Sequence, residues 1–209
     1  MRGYGQYCGL ARSLEVVGDR WNLLIVRQLL GGPARYRDLA AGLPGIATNL
    51  LADRLRDLEG AGVVERRLTP AGGVVEYALT PWGAELREPI EGLIRWSTPL
   101  MVRGPEGDAF QLEWLALALP ALLEGRVKTR TTTTVGLDVG PGSHLRLRLT
   151  RSGVDVAPCD GRAVDATVRA EPMCVLGLAA GALAIDDALA LGLVEIEGDE
   201  SVVRAAFAS

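Results

Sequence analysis

The chain has 209 residues, 48% of them hydrophobic, and a formal net charge of −4; that supports one large or two modest cores and excludes a disordered chain. The charge is uneven, because residues 1–100 hold 12 Arg against 11 Asp and Glu while residues 101–209 hold 10 Arg and Lys against 15. The acidic total therefore excludes no locally basic surface.

Cys8, Cys159 and Cys174 are far apart and form no Cys-x-x-Cys, which implies neither a disulfide framework nor a zinc site and fits a reducing, cytoplasmic setting. The longest apolar run, 173–185, is shorter than the ~20 residues of a membrane span, and the first residues lack the apolar core of a secretory signal. No membrane partner is expected.

Residues 8–17 read as a short helix with Leu10, Leu14 and Val17 on one face. Gly18 breaks it, and Asp19 is placed to cap the next helix. Trp21, Leu24, Ile25 and Leu29 keep helical spacing up to Gly31-Gly32-Pro33, a strong stop. Residues 35–41 form a third short helix, ended by Gly42. Pro44-Gly45 then turns the chain into a helix over 48–59, where Leu51, Leu55 and Leu58 recur on one stripe and Asn49, Asp53 and Arg56 point away from it. Strands follow at 63–68 and 74–79, joined by Thr69-Pro70-Ala71-Gly72-Gly73, a turn by composition.

Three helices, a turn, a further helix and a Gly-tipped hairpin, in that order, are the parts of a winged helix-turn-helix. In such a unit the second helix of the pair enters the major groove, which admits a helix and shows a distinct pattern for each base pair. Thr48, Asn49, Asp53 and Arg56 are then the candidate groove residues. Arg35, Tyr36 and Arg37 on the preceding helix are candidates for the DNA backbone, as are Arg66 and Arg67 beside the hairpin tip. The competing reading is a solvated arginine face, and i,i+4 spacing offers these arginines no clear salt-bridge ladder.

Several separated blocks also resemble the HxlR-type winged-helix transcription regulators: Tyr4-Gly5-Gln6-Tyr7-Cys8; Val17-Gly18-Asp19-Arg20-Trp21 with Leu23-Leu24-Ile25; Arg35-Tyr36 with Asp38-Leu39; Leu43-Pro44-Gly45-Ile46; Leu55-Arg56-Asp57-Leu58-Glu59; and Glu76-Tyr77-Ala78-Leu79-Thr80 with Gly83. The resemblance covers about residues 4–100. It implies a homodimer on a palindromic operator in double-stranded DNA, each recognition helix in a major groove. Ala47 stands where that family often has a hydroxyl residue, and Asn49 at its Lys-like position, so the operator sequence does not carry over. Some members sense oxidants through a cysteine at the place of Cys8; the other reading of Cys8 is a small buried residue of the first helix.

Residues 81–100 continue as a helix with Leu86, Ile90, Leu93, Ile94 and Ser97 on one stripe. Pro81 suits its first turn, and Pro89 kinks it unless the helix is interrupted there. With the 8–17 helix it is expected to form the dimer seam.

Gly104-Pro105-Glu106-Gly107-Asp108 reads as a linker between a DNA-binding and dimerisation domain, 1–103, and a second domain, 108–209. Residues 110–124 form an apolar helix; strands follow at 127–135, 145–149, 154–156 and 164–168, with Pro141-Gly142-Ser143 between the first two. Helices at 173–181 and 183–191, a strand at 193–199 and a helix at 200–207 complete an α+β layout, a mostly antiparallel sheet backed by helices. From Asp165 onward the pattern resembles sterol carrier protein 2-like (SCP2-like) domains, carried by the strand, the helix ending at Gly181 and Gly192-Leu193-Val194-Glu195-Ile196-Glu197-Gly198-Asp199. That resemblance implies an apolar tunnel for a lipid-like molecule. Trp114, Leu117, Met173, Leu176 and Leu183 are the candidate lining residues, against the alternative of a plain packed core.

Catalytic chemistry is scarce. His144, the single histidine, reads as a turn residue, and no phosphate loop or metal constellation is present in the sequence. No enzyme activity, metal or cofactor is expected. The reading is a dimeric DNA-binding regulator whose operator binding is modulated by a hydrophobic small molecule in the C-terminal domain. The alternative is a lipid or metabolite carrier whose winged helix serves protein contact.

Overall fold

The computed structural model describes residues 3–69, 72–104, 106–127, 129 and 131–208, and its contacts divide the chain into two units, Met1–Ile90 and Glu91–Ser209.

The first unit runs α1 (Gly9–Val17), α2 (Asn22–Leu30), α3 (Tyr36–Ala41), α4 (Thr48–Gly60), β1 (Val64–Leu68), β2 (Val75–Leu79) and α5 (Pro81–Ala84). Asp19 shapes the turn into α2 rather than capping it: its carboxylate accepts the Trp21 N–H at 3.1 Å and its carbonyl the Asn22 N–H at 3.0 Å, while the N-cap is Trp21, whose side chain caps nothing. Ile25, Val26 and Leu29 of α2, Leu39 of α3 and Leu51, Leu55 and Leu58 of α4 close one core with Val63, Val64 and Ala78. Strands β1 and β2 pair antiparallel from Val64 opposite Leu79 to Leu68 opposite Val75; Pro70 and Ala71 of the expected turn lie outside the described residues. Ala34 adds a one-residue third strand by exchanging both backbone hydrogen bonds with Tyr77, at 2.9 and 2.8 Å.

The helix expected over 81–100 is interrupted. After α5 the chain turns at Glu85 and Leu86, resumes as α6 (Arg87–Ser97), and tightens into a 3-10 segment, Thr98–Arg103. Pro89 falls in the first turn of α6, where an N–H has no intrahelical acceptor to lose. The break therefore comes before the proline, and no kink is needed at it. The contact boundary falls inside α6, ahead of the composition-based linker at 104–108, of which Pro105 lies outside the described residues.

The second unit has a 3-10 turn, Leu112–Trp114, then α7 (Leu115–Leu123), β3 (Thr133–Asp138), β4 (His144–Thr150), β5 (Gly153–Pro158), β6 (Ala166–Ala170), α8 (Pro172–Ala180), α9 (Ile185–Ala190), β7 (Val194–Gly198) and α10 (Glu200–Ala206). The sheet order is β5-β4-β3-β6-β7. Only the β3–β6 pair is parallel, the other three being antiparallel, so the mostly antiparallel sheet is as read from the sequence. Its strictly alternating strand behaves as the pattern dictates: Leu145, Leu147 and Leu149 are buried while Arg148 is exposed. That inner face, with Val135, Leu137 and Val168, meets Leu115, Leu119 and Leu123 of α7, Val175 and Leu178 of α8, and Val203 and Phe207.

Three expectations shift. The strand placed at 127–135 begins at Thr133, because the threonine run carries no apolar residue for the core face before Val135, which pairs with Leu147; Lys128 and Arg130 lie outside the described residues. The strand placed at 164–168 is β6, two residues later. His144 opens β4 opposite Asp138 and is no turn residue.

Candidate nucleic-acid interface

Helix α4 has two distinct faces. Leu51, Leu55 and Leu58 are each at most 1% exposed, whereas Thr48, Asn49 and Arg56 lie in solvent and Asp53 is half-buried. Its N-cap is Ala47, whose side chain caps nothing, so the first-turn N–H groups lack a side-chain acceptor. Two contacts fix how α4 is held. The Tyr36 hydroxyl donates to the Thr48 carbonyl at 2.5 Å, tying α3 to the start of α4. Arg54 bridges Asp19 and Asp57, each at 3.0 Å, with its own side chain only 23% exposed. Arg54 was not singled out in the sequence; it is one of two arginines in this helix, and only the fold shows which turns inward.

Each of the candidate cations has an acidic partner. Arg35 lies 3.8 Å from Glu76, Arg37 3.3 Å from Asp38 and Arg56 2.9 Å from Asp53. Arg66 is forked onto Glu59, its Nε 3.0 Å from both carboxylate oxygens and its Nη2 2.6 Å from Oε2, and Arg67 Nε donates to Glu65 at 2.6 Å. Glu59 thereby raises the Arg66 pKa above its ordinary value. No i,i+4 ladder forms among these arginines, as the spacing implies: Arg56 pairs at i,i+3 along α4, Arg37 and Arg67 pair with near neighbours in their own elements, and Arg35 and Arg66 pair across elements. Arg66 and Arg67 lie within β1 itself, two residues and one residue from its end at Leu68.

A groove of about 550 Å³ lies in the same unit, lined by Gly9, Ser13, Val16 and Val17 of α1 and by Trp82, Leu86 and Pro89. The Arg12–Glu15 pair, 3.0 Å long, also borders it. The hydrogen bond from Arg12 and the Tyr4 N–H hold the Glu15 carboxyl below its usual pKa. Helix α1 exposes Leu10 and Leu14, and α6 exposes Leu93 and Trp96. Cys8 is a free, exposed thiol. It is the N-cap of α1 with extended backbone, one residue outside the helix, so the buried reading of this residue is corrected.

The candidate lining residues of the second unit are placed as follows. Leu117 is buried, and Leu176 and Leu183 pack against the core. Trp114 is half-buried, edge-on to Phe110 with ring centroids 6.3 Å apart. Met173 is half-buried in the first turn of α8.

A helix pair followed by a hairpin wing, with the second helix offering a polar outer face beside that wing, defines a winged helix-turn-helix domain. Residues 16–104 match the family described as HxlR-like helix-turn-helix, and it is this segment that is similar to that family. The HTH-type transcriptional regulator YodB of Bacillus subtilis (strain 168) is 38% identical over 58 residues, 28% of this chain and 52% of that protein. An uncharacterized HTH-type transcriptional regulator of Mycobacterium tuberculosis (strain ATCC 25618 / H37Rv) is 38% identical over 115 residues, 49% of this chain and 65% of its own. Among solved structures, the reduced form of YodB from B. subtilis is 32% identical and superposes with a TM-score of 0.41, covering 47% of this chain and 99% of that one. The chain spans about half the length of the first curated relatives it matches.

Proposed function

We propose that this protein is a DNA-binding transcription regulator that works as a homodimer on a palindromic operator. Helix α4 enters the major groove with Thr48, Asn49, Asp53 and Arg56 toward the bases. Arg35 and Arg37 approach the phosphates before it, and Arg66 and Arg67 on the wing approach those beyond. Tyr36 acts indirectly, by seating the start of α4. The observation that carries the reading is the ordered helix pair and wing, whose second helix buries its leucine stripe and leaves the groove candidates outward. The HTH-type transcriptional regulators to which the segment is similar point the same way.

The dimer seam takes α1 and α6, which carry exposed apolar residues, Leu10 and Leu14 on one and Leu93 and Trp96 on the other. Scattered apolar residues are ordinary on a surface; what supports the seam is that two helices each expose two large apolar side chains, Trp96 among them at 74%. The C-terminal unit, read as an SCP2-like domain over 108–209, takes a hydrophobic effector among Trp114, Leu117, Met173, Leu176 and Leu183. Support comes from the apolar surplus of α7 and α8, whose outward positions are themselves mostly Leu, Ala and Met. An effector acts only through unequal affinity for the DNA-competent and incompetent states.

The test is a gel shift on the DNA upstream of the protein's own gene across a salt series, with mass spectrometry of whatever co-purifies. Salt-sensitive binding is expected; no shift below ~100 mM salt overturns the regulator reading.

A further inference from the structure

Resting on the DNA-binding reading, one residue of the interface deepens it. The Glu59–Arg66 contact is a forked ion pair made by three donor–acceptor distances between 2.6 and 3.0 Å. A guanidinium that forks a carboxylate has engaged the same donor edge with which it would fork a phosphate. Arg66 stands on the wing strand and Glu59 on the last turn of α4, next along the helix surface from Arg56, which Asp53 holds in turn at 2.9 Å. The face that meets DNA therefore carries its cations already engaged, with carboxylates interleaved.

We propose that Glu59 is a specificity-determining residue that keeps Arg66 from the phosphates of unrelated DNA. To reach a phosphate, Arg66 exchanges one oxyanion for another and leaves the Glu59 carboxylate unpaired against the polyanion. That exchange brings no net gain by itself. It proceeds where α4 makes favourable base contacts, so unrelated sequence is rejected while the cognate site is held.

The test uses Glu59→Gln, which removes the charge and keeps the shape, with Arg66→Gln and the double variant. Each full-length protein is titrated against a fluorescent random-sequence duplex of about 30 base pairs, long enough for both half-sites, over a salt series. One added phosphate contact is worth roughly five- to tenfold in affinity near 0.1 M salt and about one unit of slope in log K against log salt. Glu59→Gln is expected to show both gains per protomer, and to show neither once Arg66 is Gln. An unchanged or weaker Glu59→Gln overturns the proposal, as does a gain that survives Arg66→Gln, since that would be a general charge effect. If the wild type binds no duplex at all, its own upstream DNA included, the DNA-binding reading fails first and takes this role with it. Wild-type binding with an unresponsive Glu59→Gln refutes the role of Glu59 alone.

Discussion

Gly83 is the position where one methyl group does most damage to the wing. A Cβ there would sit 2.0 Å from the Val63 carbonyl oxygen, 3.0 Å from its carbon and 3.3 Å from its Cα. Carbon–oxygen contacts settle near ~3.3 Å or beyond, so the two segments must part by more than about 1 Å, and no rotamer helps because the obstacle is backbone. The segments are joined at this point. The Thr80 N–H donates to the Val63 carbonyl at 3.0 Å, the Thr80 hydroxyl donates to the Gly62 carbonyl at 2.7 Å and accepts the Gly83 N–H at 3.0 Å. Overpacking costs roughly 1–3 kcal/mol, and each bond loosened adds about 1 kcal/mol. Helix propensity runs the other way, favouring Ala over Gly by about 1 kcal/mol, and it loses. Gly83→Ala is therefore expected to lower stability by about 2–4 kcal/mol, read from urea denaturation followed by circular dichroism. Thr80→Val, which removes the hydroxyl bonds without crowding, should cost less. A Gly83→Ala variant as stable as the wild type, or more so, refutes the close approach and leaves propensity as the only term.

Arg56→Ala weakens binding to the upstream DNA by ~1–3 kcal/mol if Arg56 reads a base; equal affinity in a titration assigns it to solvent. Peroxide should abolish the gel shift of the wild type but spare Cys8→Ser if the exposed thiol senses oxidants, and identical behaviour of the two ends that role. Burial lowers Arg27 to about 10. A base depressed in the folded state costs stability while it is charged in both states, and that cost fades as pH rises through the folded pKa toward the unfolded value. Between pH ~9 and ~11, the wild type should thus gain stability relative to Arg27→Met in urea melts; a constant difference contradicts the buried charge.

Much of the first unit was legible because its signals are local. Leu51, Leu55 and Leu58 form one stripe, Gly18 and Asp19 mark the turn between two helices, and the Gly-rich turn separates two strand-like runs, so periodicity and turn residues place these parts directly. What escaped depends on residues far apart in the chain. The Ala34–Tyr77 bridge joins positions that no pattern links, and the Glu59–Arg66 and Arg54–Asp19 pairs join elements whose approach angle only tertiary packing sets. In the second unit, alternation found β4 but overran at the threonine run, where β-branching without apolar alternation resembles a strand and lacks a face to bury. The interruption before α6 was misplaced for a related reason: Pro89 is the visible breaker, yet a proline in a first turn breaks nothing.

Operator reading by this protein requires two copies of α4 in successive major grooves. Hydroxyl-radical footprinting of the upstream DNA tests it most directly. Two symmetric protected segments centred about one helical turn apart, or a whole multiple of it, are expected, both fading in Arg56→Ala. A single protected segment, or protection that ignores changes on the outer face of α4, contradicts it.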